Sequence, residues 1–385
     1  MSGGPRLPRA VFLLGAVSLL ADVASDLAFP LLPLFLEHEL HARNVALGAI
    51  EGLADATAAG VKYLAGLGAD RGGKRKPFVL GGYALSGLAK PLLALALAPW
   101  HVVALRMLDR VGKGLRTAPR DALIAEATPE PLRARAFGLH RALDNLGAVL
   151  GPLAAALVLH RWPGAYRLAF ALTVFPGLAT VLLVALGVRE GAVAVKQPAY
   201  TEEAPLPPAL RRYLLLTGLF TLANASDVFV LVRARQLGAP EASLPLLWGG
   251  LSLLRALCAA PGGALADRLG RPRALCLGWA LYAVAWAAFG VARSPLELTA
   301  VLGLYGVYYG LTEGAQRAVV ATLAPGVKLG RAYGAFHLVT GLLALPASLG
   351  FGWALETFGP ARTFGAGGAL ALLASLGMAR LLRTH

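Results

Sequence analysis

The chain has 385 residues, 57% of them hydrophobic and only 15% charged, with 36 basic against 21 acidic side chains. That balance lies above the apolar share and below the charged share of soluble domains, and it excludes one. The net charge of +15 lies in short breaks between apolar runs, so it is not a nucleic-acid footprint. The two cysteines, Cys258 and Cys276, fall inside predicted helices and offer neither a disulfide framework nor a metal-ligand spacing, so no metal or other cofactor is expected.

Twelve apolar stretches recur along the chain, each long enough to cross a hydrocarbon core of about 30 Å at about 20 residues per span. Lipid offers no partner to backbone groups, so all twelve are predicted to be helices. The first, 10–36, carries Asp22 and Asp26 one turn apart, and then Pro30 and Pro33. Arg6 and Arg9 precede it as in a secretory signal, but eleven further spans follow and it is retained as a helix. The second, 45–69, places Glu51 and Asp55 on one face and ends in the polar hinge Gly66-Leu-Gly-Ala-Asp70-Arg71-Gly-Gly73-Lys74-Arg75-Lys76. Paired carboxylates cannot both ionise cheaply in a low dielectric, which makes Asp22, Asp26, Glu51 and Asp55 the candidates to carry a proton.

The third span covers 77–98. The fourth, 101–125, holds Arg106, Asp109, Arg110, Lys113, Arg116, Arg120 and Asp121. Arg106, Asp109, Lys113, Arg116 and Arg120 advance by three, four, three and four residues and share one helical face. Charge at membrane depth is costly and marks function, so that face is predicted to turn away from lipid. Its positive excess makes Lys113 and Arg116, beside Asp109, the expected binders of an anionic or zwitterionic group. The fifth span, 135–159, carries Gly138, Gly147, Gly151 and Pro152, small residues that admit a neighbouring helix and a proline that bends the chain.

The sixth span, 165–188, is followed by a polar, proline-rich interval over 189–210, read as a linker. Spans seven and eight cover 211–235 and 244–266. They lead to a second hinge, Gly263-Ala-Leu-Ala-Asp267-Arg268-Leu-Gly270-Arg271-Pro-Arg273. In the ninth span, 273–292, Trp279, Tyr282 and Trp286 form an aromatic face read as core. The tenth, 296–323, sets Tyr309 beside Glu313, a ring and carboxylate suited to a partly organic solute. Spans 331–355 and 362–382 complete the chain.

The hinges lie 197 residues apart, Arg135-Ala-Phe-Gly138 recurs as Arg331-Ala-Tyr-Gly334, and Ala24-Ser25-Asp26 as Ala225-Ser226-Asp227. The expected architecture is an all-α membrane protein of two pseudo-symmetric six-helix bundles, 1–188 and 211–385. Basic residues concentrate in alternate loops, which places both termini on the cytoplasmic side of the inner membrane.

The hinges resemble the signature Gly-x-Leu-Ala-Asp-Arg-x-Gly-Arg-Lys of the major facilitator superfamily, and the resemblance extends over essentially the whole chain. Gly138, Gly147 and Gly151-Pro152, followed by Ala155-Ala156, resemble a fifth-helix motif of its proton-linked antiporters, which ends in Gly-Gly. Arg110 with Gly114 is similar to the fourth-helix Arg-x-x-x-Gly, whose arginine is associated with proton coupling, although Lys113 replaces the usual Gln. The resemblance implies two bundles around a central cavity opened to each side in turn. It also implies a latch of Asp70 and Lys74 with Asp121 and the start of the eleventh helix near Arg331, echoed by Asp267 and Arg271. The expected function is proton-coupled efflux of a small organic, anionic or zwitterionic solute by a monomer in the bilayer, with protons and solute as its partners and no nucleic acid. An uptake permease or uniporter, a lipid or lysolipid flippase, and a non-transporting sensor are the alternatives. An enzyme is not expected, because no His-rich metal set, Gly-x-Ser-x-Gly turn or phosphate loop occurs.

Overall fold

The computed structural model describes residues 7–40, 45–188, 205–239 and 244–383, and all regular structure among them is helical. The first predicted span is α1 (Arg9–Ala28) and α2 (Leu32–His38), separated by a tighter turn at Phe29–Leu31 that takes up Pro30. Then come α3 (Val45–Gly72), α4 (Lys76–Leu92), α5 (Pro99–Ala127) and α6 (Arg133–Arg161), with α7 (Tyr166–Leu172) and α8 (Val174–Gly187) forming the sixth span. The seventh is α9 (Pro208–Ala223) and α10 (Val228–Gln236), and the remaining five are α11 (Leu244–Leu269), α12 (Arg271–Val291), α13 (Pro295–Thr322), α14 (Leu329–Phe358) and α15 (Pro360–Arg383). Most of the expected linker, 189–204, lies outside the described residues.

Among the described residues, eight helical segments are long and apolar enough to cross a membrane. The charged α5 is not among them, because its ionic residues offset its leucines and valines. Helix starts follow local chemistry. Proline stands in the first turn of α4, α5, α9, α12 and α13, where its missing N–H costs no intrahelical bond. Ser294 caps α13 by accepting from the Glu297 N–H at 3.2 Å.

Two compact units partition the described residues, one drawn from Met1–Thr128, Leu143–Glu202 and Lys328–Leu338, the other from Pro129–Ala142, Glu203–Val327 and Val339–His385. The first turns of α6 therefore group with α9–α13, and the first turns of α14 with α1–α5, a segregation that the division at the linker does not contain. Inside the units the packing repeats. In the first unit α3 packs on α5, α4 on α5, α4 on α8 and α1 on α8; in the second, α11 packs on α13, α12 on α13, α12 on α15 and α9 on α15. Both hinges turn on a glycine in the left-handed region, Gly73 at φ 62° and Gly270 at φ 87°, where an L side chain would be strained.

The first unit buries an apolar core in which Leu27, Phe35, Leu93 and Phe170 meet, with the Phe35 and Phe170 rings edge-on at 5.1 Å. The second buries rings: Phe220 stacks on Trp279 at 4.6 Å, and Tyr282 on Trp286 at 5.1 Å. The aromatic face of α12 is thus core. Backbones meet closely where glycines face one another. A side chain at Gly112 would place its Cβ 2.7 Å from the Gly82 carbonyl oxygen and 2.8 Å from the Ser86 nitrogen, so α4 and α5 touch without side chains between them.

Candidate transport site

The α5 stripe divides by its neighbours. Asp109 is 3% exposed and Lys90, from α4, is 2% exposed; they pair at 2.8 Å, and the Ser86 hydroxyl also donates to Asp109. Arg106 reaches the same carboxylate at 3.5 Å and covers the Phe29 ring at 3.5 Å. Arg116 is buried with its guanidinium 4.1 Å over the Tyr83 ring. Arg120 holds Asp121 at 2.9 Å, and the other Asp121 oxygen faces His337 Nε2 at 2.8 Å. Of the five residues on that face only Lys113 is exposed. Asp109, expected beside a solute, is instead enclosed in a buried ion pair, and Arg116 is turned onto α4. Asp109→Ala would leave Lys90 and Arg106 uncompensated and is expected to cost about 3–5 kcal/mol. Thermal unfolding of the purified protein in detergent measures this; a variant melting with the wild type would contradict the buried-pair assignment.

Lys113 interacts electrostatically with Asp22 of α1 and Asp144 of α6, and the neighbouring Arg110 and Arg116 add to the positive field around it. Asp22 and Asp144 lie within hydrogen-bonding reach of one another, and the Ser18 hydroxyl donates to Asp144. The half-buried Asp26, one turn along α1, is also within the field of Lys113. This arrangement depends on the α6 glycines. A Cβ at Gly147 would stand 2.5 Å from the Leu19 carbonyl oxygen and 3.0 Å from Asp22 Cβ, and one at Gly151 would stand 2.8 Å from Asp26 Cβ. Gly138 serves another contact, since its Cβ would lie 3.3 Å from Gly263 Cα on α11. Pro152 lies within the same continuous α6. Glu51 and Asp55 belong to α3, but their side chains lie outside the described residues.

Each hinge carboxylate caps a helix. Asp70 accepts from the N–H groups of Gly330 at 3.1 Å and Arg331 at 2.6 Å, at the start of α14. Lys328 Nζ donates to the Asp70 carbonyl at 2.8 Å. Burial raises the Asp70 carboxyl above its ordinary value, opposed by the Arg75 guanidinium and the N–H of Arg331. Asp267 accepts from Ala134 N at 3.2 Å and Arg135 N at 2.8 Å, at the start of α6. A carboxylate among the unsatisfied N–H groups of a helix start is favoured by the helix dipole. The basic partners differ between copies: Asp267 takes Arg271, four residues on, at 3.0 Å, whereas Asp70 takes Arg75, five residues on, at 3.0 Å, leaving Lys74 exposed. Arg75 also pairs with Glu126 and Arg271 lies 3.9 Å from Glu130, so the acid joined to the first hinge is Glu126 rather than Asp121.

In the second unit, Asp227 accepts from both Arg255 and Tyr305, and the Arg255 guanidinium lies 4.0 Å from the centre of the Tyr309 ring. Glu313 joins Arg317 at 2.7 Å and Arg141 at 3.1 Å. Tyr309 and Glu313 are therefore each tied to an arginine. Asp144, Asp227, Arg141 and Arg255 are not among the site residues expected from the sequence. For Asp144 a signal was available: it precedes Gly147 by three residues and shares its helical face.

Long apolar helices in two repeats, with buried ion pairs inside and capped polar hinges at their ends, define a polytopic membrane protein of the transporter class. The family model described as Major Facilitator Superfamily matches residues 14–232. An uncharacterised MFS-type transporter of Methanocaldococcus jannaschii is 31% identical over 379 residues, covering 96% of this chain and 94% of its own. The chain belongs to the major facilitator superfamily. Multidrug resistance protein MdtH of Proteus mirabilis is 30% identical over 228 residues, covering 56% of this chain and 54% of its own. Among solved structures, the human organic anion transporter MFSD10 (TETRAN) superposes with a TM-score of 0.81 over 96% of this chain and 99% of its own, at 18% identity, a likeness of fold. The family consists of membrane transporters of small solutes, not enzymes.

Proposed function

We propose that the protein is a proton-coupled exporter of a small organic zwitterion, whose anionic end is received by Lys113 and whose cationic end by Asp22 and Asp144. The observation that carries this reading is an exposed lysine facing two carboxyl groups within hydrogen-bonding reach of each other. A hydrogen bond between two carboxyl groups holds one proton, because a carboxylate alone has only acceptors. A cationic group entering between them takes over both oxygens and displaces that proton. Solute and proton then compete, which is the condition for exchange. A purely anionic solute on Lys113 would instead favour proton uptake, since it removes the positive charge that stabilises the carboxylates. Exchange therefore points to a solute with a positive end.

The relatives named multidrug resistance proteins support export. The loop charges support an inner-membrane protein with both termini cytoplasmic. Arg110 supplies field at Lys113 in this reading. The hinge sets around Asp70 and Asp267 stabilise one access state and must break for the other, so each is worth only a few kcal/mol. The test is accumulation of amino-substituted organic acids in everted membrane vesicles carrying the protein, under an imposed pH gradient. Accumulation abolished by a protonophore is expected. Equilibration that ignores the gradient would overturn coupling and favour a uniporter.

A further inference from the structure

We propose that the groove between the first half of α9 and the last turns of α15 binds an anionic glycerophospholipid, with the lipid phosphate held by Arg212 and Arg380. The groove has a volume of about 340 Å³ and is lined by Arg212, Leu215, Leu216, Gly377, Arg380 and Leu381. Its lining complements such a lipid: Arg212 and Arg380 stand near the start of α9 and the end of α15, with Leu215 and Leu216 about one turn deeper along α9.

Each feature selects that occupant over another. Leu215 is 74% exposed on the helix beside Arg212, so the apolar wall faces outward, where acyl chains run. A dissolved anion gains nothing from such a wall. Gly377 lets the tip of Leu216 rest directly on α15, since a Cβ there would collide with it, and this close packing forms the floor of the groove. Arg212 and Arg380 are both exposed, and among the described residues neither has a carboxylate within ion-pair reach. Arg75, Arg106, Arg120, Arg255, Arg271 and Arg317 hold acids of the protein, whereas the two arginines lining this groove present their charge outward beside an apolar wall. Guanidinium groups match phosphate oxygens two at a time, and basic pockets between membrane helices are where phospholipid headgroups settle. The site is separate from the Lys113 cluster, so its fate does not bear on the transport reading.

Native mass spectrometry of the purified full-length protein in mixed micelles tests the proposal, with dioleoylphosphatidylglycerol and dioleoylphosphatidylcholine as probes and glycerol 3-phosphate as the soluble arm. The wild type is expected to retain phosphatidylglycerol in preference to phosphatidylcholine, and glycerol 3-phosphate at matched concentration is not expected to displace it. The Arg212→Gln/Arg380→Gln variant should lose about tenfold to thirtyfold of that affinity, while Arg293→Gln/Arg362→Gln, a loss of two exposed arginines elsewhere, should lose none. Each single Gln variant should lose about fivefold, which keeps the test open if the double variant is not recovered. Equal retention of the two lipids, a preference unchanged in the single variants, or displacement by glycerol 3-phosphate would overturn it.

Discussion

Lys113→Met is expected to raise the half-saturating concentration of a transported zwitterion about 10- to 100-fold while leaving the melting temperature within a few degrees of wild type. The magnitude is that of one charge-assisted hydrogen bond, about 1.5–3 kcal/mol, lost with no compensating partner. The small structural effect follows from exposure: Lys113 alone of its face is open, and methionine is an unbranched side chain that keeps an apolar stem. Arg116→Met provides the contrast. Its guanidinium is buried over Tyr83, so the variant should lower the melting temperature and leave the half-saturating concentration comparatively unchanged. Concentration-dependent uptake into everted vesicles and unfolding in detergent separate the two. If Lys113→Met transports every zwitterion with wild-type saturation, the lysine is not the anion site.

Asp144→Asn and Asp22→Asn are each expected to uncouple transport from the pH gradient. In the mechanism proposed above one proton bridges the two carboxyls, and a cationic group can enter only as that proton leaves. An amide in either position donates its own N–H to the remaining carboxylate, so the bridge persists without a proton to exchange. Accumulation driven by an imposed gradient should fall to the level of protein-free vesicles. Solute exchange without a gradient should continue at a rate reduced by about tenfold, the cost of one weakened ionic contact of about 1.4 kcal/mol. Asp26→Asn should keep most of its gradient response, because Asp26 lies one turn away and hydrogen-bonds neither member of the pair in the described contacts. Gradient-driven accumulation that survives in Asp22→Asn and Asp144→Asn would place the proton elsewhere, with the α3 acids next in order.

The repeat was legible because it is written locally. Two polar hinges 197 residues apart interrupt apolar runs, and their turning glycines, Gly73 and Gly270, both take a positive φ. The stripe on α5 was legible as a face, since periodicity alone sets which residues point together. Which neighbour closes that face is set by helix packing, and helical spacing does not encode it. Lys90 covers Asp109, Tyr83 covers Arg116, and Lys113 remains open. The hinge partners show the same boundary. Lys74 aligns with Arg271 in the repeat, yet the two-residue difference in where the following helix begins brings Arg75 onto Asp70. Asp144 appears as one more acid on α6 until Gly147 draws α1 against it, and that close approach depends on two distant segments meeting.

Proton release on solute binding tests the central claim most directly. Purified protein in weakly buffered detergent, with a pH dye in the bulk, is titrated with an amino-substituted organic acid that the vesicle assay has identified. Competition at Asp22 and Asp144 predicts acidification approaching one proton per bound solute, present in the wild type and lost in Asp144→Asn. Binding that occurs with no proton released, or that takes protons up, would contradict it.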